Sequence, residues 1–93
     1  MSKKVDFEKA SEVLKAIAHP VRLQIVTGLI RDECNVSKIQ EKLGLPQSTI
    51  SQHLSILRRY GIVKARREGV KVCYSVTDEM VRQIILTLAC ENG

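Results

Sequence analysis

The stretch that decides the fold runs from Gly44 to Gly61 and reads GLPQSTISQHLSILRRYG. Its apolar residues Ile50, Leu54 and Leu57 recur at intervals of three and four, which predicts a helix with one face packed on a core. One glycine precedes this helix and the other follows it. Each glycine is suited to the left-handed conformation that closes a helix.

The opposite face of this helix is polar and carries no acidic side chain. Pro46 marks a turn between the helix and a shorter apolar pattern before it, so the pair reads as a helix-turn-helix. Short uncharged donors and acceptors are what a helix needs to address base edges and phosphates in the major groove. The candidate DNA-binding residues on this helix are Gln47, Ser48, Thr49, Ser51, Gln52, His53 and Ser55.

Three further helices are predicted before the turn. Apolar spacing predicts a first helix over roughly 6–18, and Pro20 fits the first turn of a second helix that reaches about Ile30. A short third helix covers Val36 to Leu43 and ends at Gly44.

After Gly61 the apolar period changes from helical to alternating. The segments 62–66 and 70–76 are rich in β-branched residues and predict a hairpin that turns at Arg67–Gly69. Thr77 is the predicted N-cap of a last helix. The whole chain, 1–93, is thus expected to be a single, mainly α domain: a winged helix-turn-helix with five helices and a two-stranded wing.

Composition narrows the functional class. The net charge of +5 suits a polyanionic partner, and there is no apolar run that predicts a signal peptide or a membrane span. The three widely spaced cysteines do not suggest a disulfide framework. We therefore expect a cytoplasmic protein with reduced thiols.

Three ordered motifs resemble ArsR/SmtB-type repressors. They are LKAIAHPVRLQIV at 14–26, the helix-turn-helix segment at 45–61, and REGVKVCYSV at 67–76. The resemblance implies a homodimeric repressor that binds double-stranded DNA at an imperfect inverted repeat. It also implies that the first and last helices pack between subunits.

Both terminal helices carry wide apolar stripes, which agrees with a dimer because so short a chain supplies little core of its own. We place Ile84 and Ile85 in that interface. The alternative is that these stripes pack inside one subunit.

Basic residues cluster after the predicted recognition helix. Positions 58 to 71 contain six basic residues and one acidic residue. The winged fold would place several of the basic side chains against phosphates. The alternative is an ordinary solvated face, and His53 has its own alternative as a hydrogen-bonded boundary residue. The candidate DNA contacts added here are Arg58, Arg66, Arg67 and Lys71.

The metal sites known from this family are not reproduced. Asn35 and Ser37 occupy the positions of the family's Cys-x-Cys pair. Asp78 matches one ligand of the family's zinc site, whereas Met80 and Glu91 replace histidines. We therefore expect no metal and no cofactor.

Cys34, Cys73 and Cys90 leave a thiol-based alternative open. They are either small buried hydrophobes or sensors of oxidants, persulfides or a soft metal, and Cys90 is the first candidate because it lies near the chain end. No other effector is indicated.

Two rival classes remain. An enzyme is not expected, because the sequence shows neither paired carboxylates around a cleft nor a glycine-rich phosphate loop. A winged module that binds only proteins is opposed by the acid-free helix face and the basic wing.

Overall fold

A computed structural model describes residues 4–34 and 36–91, with side chains through Ala89. Within that part, five helices and one antiparallel hairpin follow in the predicted order. The helices are α1 Phe7–Ile17, α2 Pro20–Arg31, α3 Val36–Leu43, α4 Gln47–Arg59 and α5 Glu79–Glu91, and the strands are β1 Val63–Glu68 and β2 Lys71–Val76. The predicted fold class is therefore confirmed.

The hairpin turn lies further along the chain than predicted. Its register runs from Val63 opposite Val76 to Glu68 opposite Lys71, which leaves Gly69 and Val70 as the turn. The predicted turn at Arg67–Gly69 is therefore wrong: it begins two residues too early and ends one residue too early, since β1 continues through Glu68. Gly69 has φ +66°, a left-handed conformation that costs other residues about 1–2 kcal/mol.

The start of α5 also differs from the prediction. Asp78 Oδ1 accepts a hydrogen bond of 3.0 Å from the Val81 backbone N–H, which makes Asp78 the capping residue. The Thr77 hydroxyl instead donates to the Gly61 carbonyl at 3.3 Å. The predicted cap at Thr77 is thus wrong by one residue, because the Thr77 side chain binds the turn that follows α4.

A single apolar core joins all the helices to the base of the hairpin. Ile50, Leu54 and Leu57 are 1%, 4% and 0% exposed, so the predicted core face of α4 is confirmed. The fully buried side chains around them include Ile25, Val26, Leu29, Ile62 and Val81. Because one face of α4 packs on this core, the opposite face is exposed to solvent in a fixed orientation.

The apolar stripes of α1 and α5 are only partly buried in this chain. On α1, Phe7 is 78% exposed and Leu14 is 43% exposed. On α5, Leu86 and Leu88 are 50% and 48% exposed, whereas Ile85 is 3% exposed and lies in the core. The placement of Ile85 between subunits is therefore wrong, because its side chain is already covered within its own chain.

Ile84 is half-buried and packs against the same core.

Among the described ranges 4–34 and 36–91, no single helix is long and apolar enough to cross a membrane. The pair α1–α2 reaches the required length only across a bend of 94°.

Candidate nucleic-acid interface

The polar face of α4 is exposed, as the recognition role requires. Gly44 adopts φ +66° and ends α3, and Pro46 then starts α4 with an extended backbone. Pro46 provides no side-chain cap, and the first turn of α4 has no acidic residue, so this turn is electrostatically suited to a phosphate. Of the predicted contacts on α4, the exposed ones are Gln47, Ser48, Ser51, Gln52 and Ser55, and the half-buried ones are Thr49 and His53.

His53 lies at the boundary between α4 and α2. Its Nδ1 accepts a hydrogen bond from Arg22 Nε at 3.2 Å, and its ring centroid lies 4.8 Å from that of His19. Arg22 is itself held by donation to the Ala16 carbonyl at 2.8 Å. Burial, followed by the charges of His19 and Arg22, lowers the pKa of His53 below its ordinary value. These contacts agree with the alternative that His53 is a hydrogen-bonded residue at the boundary of the core. A contact between His53 and DNA stays a prediction.

Exposed basic side chains extend from the end of α4 into the wing. Arg58 lies in the last turn of α4, while Arg67 and Lys71 lie beside the hairpin turn, and all three are exposed. Cations on long, solvated side chains are suited to phosphate contacts that carry no sequence information.

Arg66 has partners that the sequence did not reveal. Its Nη1 donates to Glu33 Oε1 at 2.7 Å and its Nε donates to Glu68 Oε2 at 2.8 Å. These two hydrogen bonds raise the pKa of Arg66 above its ordinary value. The Arg66 side chain thus links the wing to the connection between α2 and α3. A DNA phosphate would have to compete with the carboxylates of Glu33 and Glu68 for the Arg66 guanidinium.

Three contacts among the described residues join the connection between α2 and α3 to the wing, and we call them the loop–wing junction. Cys34 and Cys73 form a disulfide with Cα atoms 4.2 Å apart. The Tyr74 backbone N–H donates to the Glu33 carbonyl at 2.8 Å, and the Glu33–Arg66 ion pair is the third contact.

The disulfide corrects our expectation of reduced thiols at these two positions. Cys73 is fully buried, as a strand residue facing the core should be, while Cys34 is exposed. The two cysteines are 39 residues apart in sequence, and only the folded path of the chain brings them together. The side chain of Cys90, the first candidate sensor, lies outside the described part.

The described residues include no group of three or more His, Cys, Asp or Glu side chains able to hold a metal ion. Asp78 caps α5, Met80 is half-buried against the core, and Ser37 is exposed. Asn35 and the side chain of Glu91 lie outside the described residues.

Helices that carry an exposed, acid-free recognition face, followed by a basic two-stranded hairpin, define a winged helix-turn-helix. Residues 19–65 match the family described as "Bacterial regulatory protein, arsR family". The chain belongs to the ArsR family of transcriptional regulators, as its motifs predicted.

Individual relatives agree with this assignment. The chain is 46% identical over 80 residues to an uncharacterised HTH-type transcriptional regulator, MJ1325, of Methanocaldococcus jannaschii, covering 85% of this chain and 90% of that protein. The crystal structure of the transcriptional repressor PagR of Bacillus anthracis superposes with a TM-score of 0.78 at 42% identity, covering 88% of this chain and 94% of PagR.

A third relative is homodimeric in its solution NMR structure. The homodimeric winged helix-turn-helix domain of Mb0332 from Mycobacterium bovis, a possible ArsR-family regulator, gives a TM-score of 0.77 at 30% identity. That comparison covers 99% of this chain and 90% of the other.

Proposed function

We propose that this chain is a homodimeric, sequence-specific repressor that binds an imperfect inverted repeat of double-stranded DNA through α4 and the wing. The observation that carries the proposal is the polar face of α4, which is exposed, free of acidic residues and fixed by the buried residues Ile50, Leu54 and Leu57. A helix held in this way can enter the major groove without rearrangement.

Base recognition is assigned to the exposed face of α4. Gln52 offers an amide that can form two hydrogen bonds to adenine, and the hydroxyls of Ser48, Ser51 and Ser55 can reach bases or backbone. Gln47 and the half-buried Thr49 lie in the first turn of α4, where phosphate contacts are favoured. His53 is assigned a supporting position beside Arg22.

Backbone contact is assigned to the basic residues around the wing. Lys71 directly follows the hairpin turn, and Arg67 lies one residue further down β1, opposite Val72. Among the described residues neither forms an ion pair, unlike Arg66, which is paired with Glu33 and Glu68. Phosphate contacts strengthen binding to every sequence and make it depend on salt. Arg58 belongs to the same group because it is exposed at the end of α4.

Dimerisation through α1 and α5 would cover the apolar side chains that this chain leaves exposed, above all Phe7 and Leu86. Phe7→Glu should therefore shift the protein from dimer to monomer in sedimentation velocity. Val70→Glu is the matched control, because Val70 is 97% exposed at the wing turn and should leave the dimer intact. A dimer that sediments unchanged in Phe7→Glu would contradict the α1–α5 interface.

We propose a cytoplasmic, non-catalytic regulator that lacks the family's zinc and Cys-x-Cys sites. The replacement of ligands by Ser37 and Met80, and the use of Asp78 as a helix cap, support this view. Zinc and cadmium should then leave DNA affinity nearly unchanged under reducing conditions.

The direct test is selection of bound duplexes from a random pool, followed by titration of the selected duplex and a scrambled one at several salt concentrations. A specific regulator should prefer the selected duplex, and its affinity for both should fall as salt rises. A module that binds only proteins would show no salt-dependent affinity for either duplex, and that result would overturn the proposal.

A further inference from the structure

We propose that the Cys34–Cys73 bond is a site of thiol–disulfide exchange with small dithiols, and that its state sets how firmly the wing holds DNA. The inference rests on the proposed DNA-binding function and adds a chemical control to it. It concerns two cysteines that the structure joins, rather than Cys90.

The bond connects the two DNA-binding parts of the protein. Cys34 lies just before α3, the first helix of the helix-turn-helix, and Cys73 lies in the middle of β2. Cys73 is opposite Arg66 in the hairpin register, so the bond and the Glu33–Arg66 ion pair join the same two segments. The spacing between the helix-turn-helix and the wing is therefore fixed at one covalent point.

Without the disulfide, the remaining contacts of the loop–wing junction are weak. The Glu33 and Arg66 side chains are 42% and 44% exposed, and ion pairs at such exposure contribute little because water competes for both charges. The backbone hydrogen bond from Tyr74 to Glu33 and the packing of Cys73 and Tyr74 on the body of the protein would then supply the restraint that remains. Cleavage of the disulfide should consequently loosen the wing rather than release it from the core.

Access to the bond is one-sided. Cys34 is exposed, whereas Cys73 is 0% exposed, so an incoming thiolate meets the Cys34 sulfur first. Exchange proceeds by attack of a thiolate on one sulfur and departure of the other. Cys73 is the leaving group in this direction, and its thiolate takes up a proton.

The reaction is balanced with a dithiol as reductant. Its first thiolate forms a mixed disulfide with Cys34, and its second thiolate then displaces the Cys34 thiolate, which is protonated. The dithiol becomes a cyclic disulfide and is oxidised by two electrons, while the protein disulfide gains two electrons and two protons. In a reducing compartment, an accessible bond of this kind is transient and reports the thiol balance.

The effect on DNA follows from preorganisation. A wing held in its bound position loses less conformational freedom on binding than a loosened wing. Because the wing is assigned to phosphates, reduction should weaken binding to the selected and the scrambled duplex by the same factor, about threefold to tenfold. The ratio of the two affinities should stay unchanged, since α4 is anchored in the core independently of the bond.

The experiment compares the oxidised full-length protein with the same protein treated with dithiothreitol, on both duplexes at fixed salt. Alkylation in denaturant, followed by mass spectrometry, should label Cys90 alone before treatment and all three cysteines after it. Cys34→Ser should bind like the reduced protein and ignore dithiothreitol. Cys90→Ser, the matched control, should respond as the wild type does. Circular dichroism checks that the reduced protein keeps its helices.

Each other result overturns the inference. Equal affinity in the two alkylation-verified states would show that the bond does not act on the wing, as would tighter binding after reduction or loss of helix content. A response that persists in Cys34→Ser would assign the effect to another cysteine. If neither redox state prefers the selected duplex, the proposed function itself fails, and the two failures are thus distinguishable.

Discussion

α4 and the wing are both exposed, yet they are held in place in different ways. α4 rests on the core through three buried side chains and presents neutral hydrogen-bonding groups to solvent. The wing is buried at its base, through Val63 and Val76, and at Cys73 in the middle of β2, whereas its distal half carries exposed charges and is joined to the α2–α3 connection by the loop–wing junction. The difference is the basis of the proposed division of work, in which the core-anchored helix would recognise sequence and the hairpin would add affinity for the DNA backbone.

The largest expected effect comes from the anchor of α4. Leu57 is 0% exposed, and Leu57→Ala should destabilise the fold by about 2–5 kcal/mol through lost burial and the cavity left behind. Chemical denaturation followed by circular dichroism measures the change. Arg59→Ala is the control, because Arg59 is exposed and its loss should change stability by less than about 0.5 kcal/mol. Comparable losses in both variants would contradict the anchoring role of Leu57.

A smaller effect is expected at the wing turn. Gly69→Ala places a side chain at φ +66° and should cost about 1–2 kcal/mol, although no atom would clash with the new methyl group. Val70→Ala, at the neighbouring turn position, should be nearly neutral because Val70 is 97% exposed. The same denaturation experiment separates the two. If Gly69→Ala were as stable as the wild type, the left-handed turn would be wrong.

The smallest effect concerns the contact between α4 and α2. Folding lowers the pKa of His53 from 6.5 because the site is buried and faces His19 and Arg22, so the unfolded chain binds the proton more readily. The contribution of neutral His53 to the free energy of unfolding is fully present above pH 6.5 and decreases as the pH falls through and below that value. The urea midpoint of the wild type should decline more on acidification than that of His53→Gln. Parallel pH profiles would exclude His53 as the source.

Local patterns predicted most of the fold. The period of Ile50, Leu54 and Leu57 depends only on helix geometry, and the left-handed conformations of Gly44 and Gly61 follow from the lack of a side chain. Each of these features is decided within one or two turns of chain. The five helices and the hairpin could therefore be predicted from sequence, although single boundary residues were not.

Features that depend on distant parts of the chain were not predictable. Whether Ile85 or Leu86 faces the core is decided by how α5 packs on β2 and α2, because both side chains are apolar and either could be buried. The Cys34–Cys73 bond requires that the connection after α2 pass beside β2. An odd number of cysteines carries no information about that path.

The division of work between α4 and the wing is tested most directly with two substitutions measured on two duplexes. Gln52→Ala should reduce discrimination between the selected and scrambled duplexes by about 1–3 kcal/mol at a preferred base pair. Arg67→Ala should weaken binding to both duplexes equally and flatten the salt dependence by about one counterion per subunit. If both variants lost affinity equally on the two duplexes, the assignment of base recognition to α4 would be contradicted.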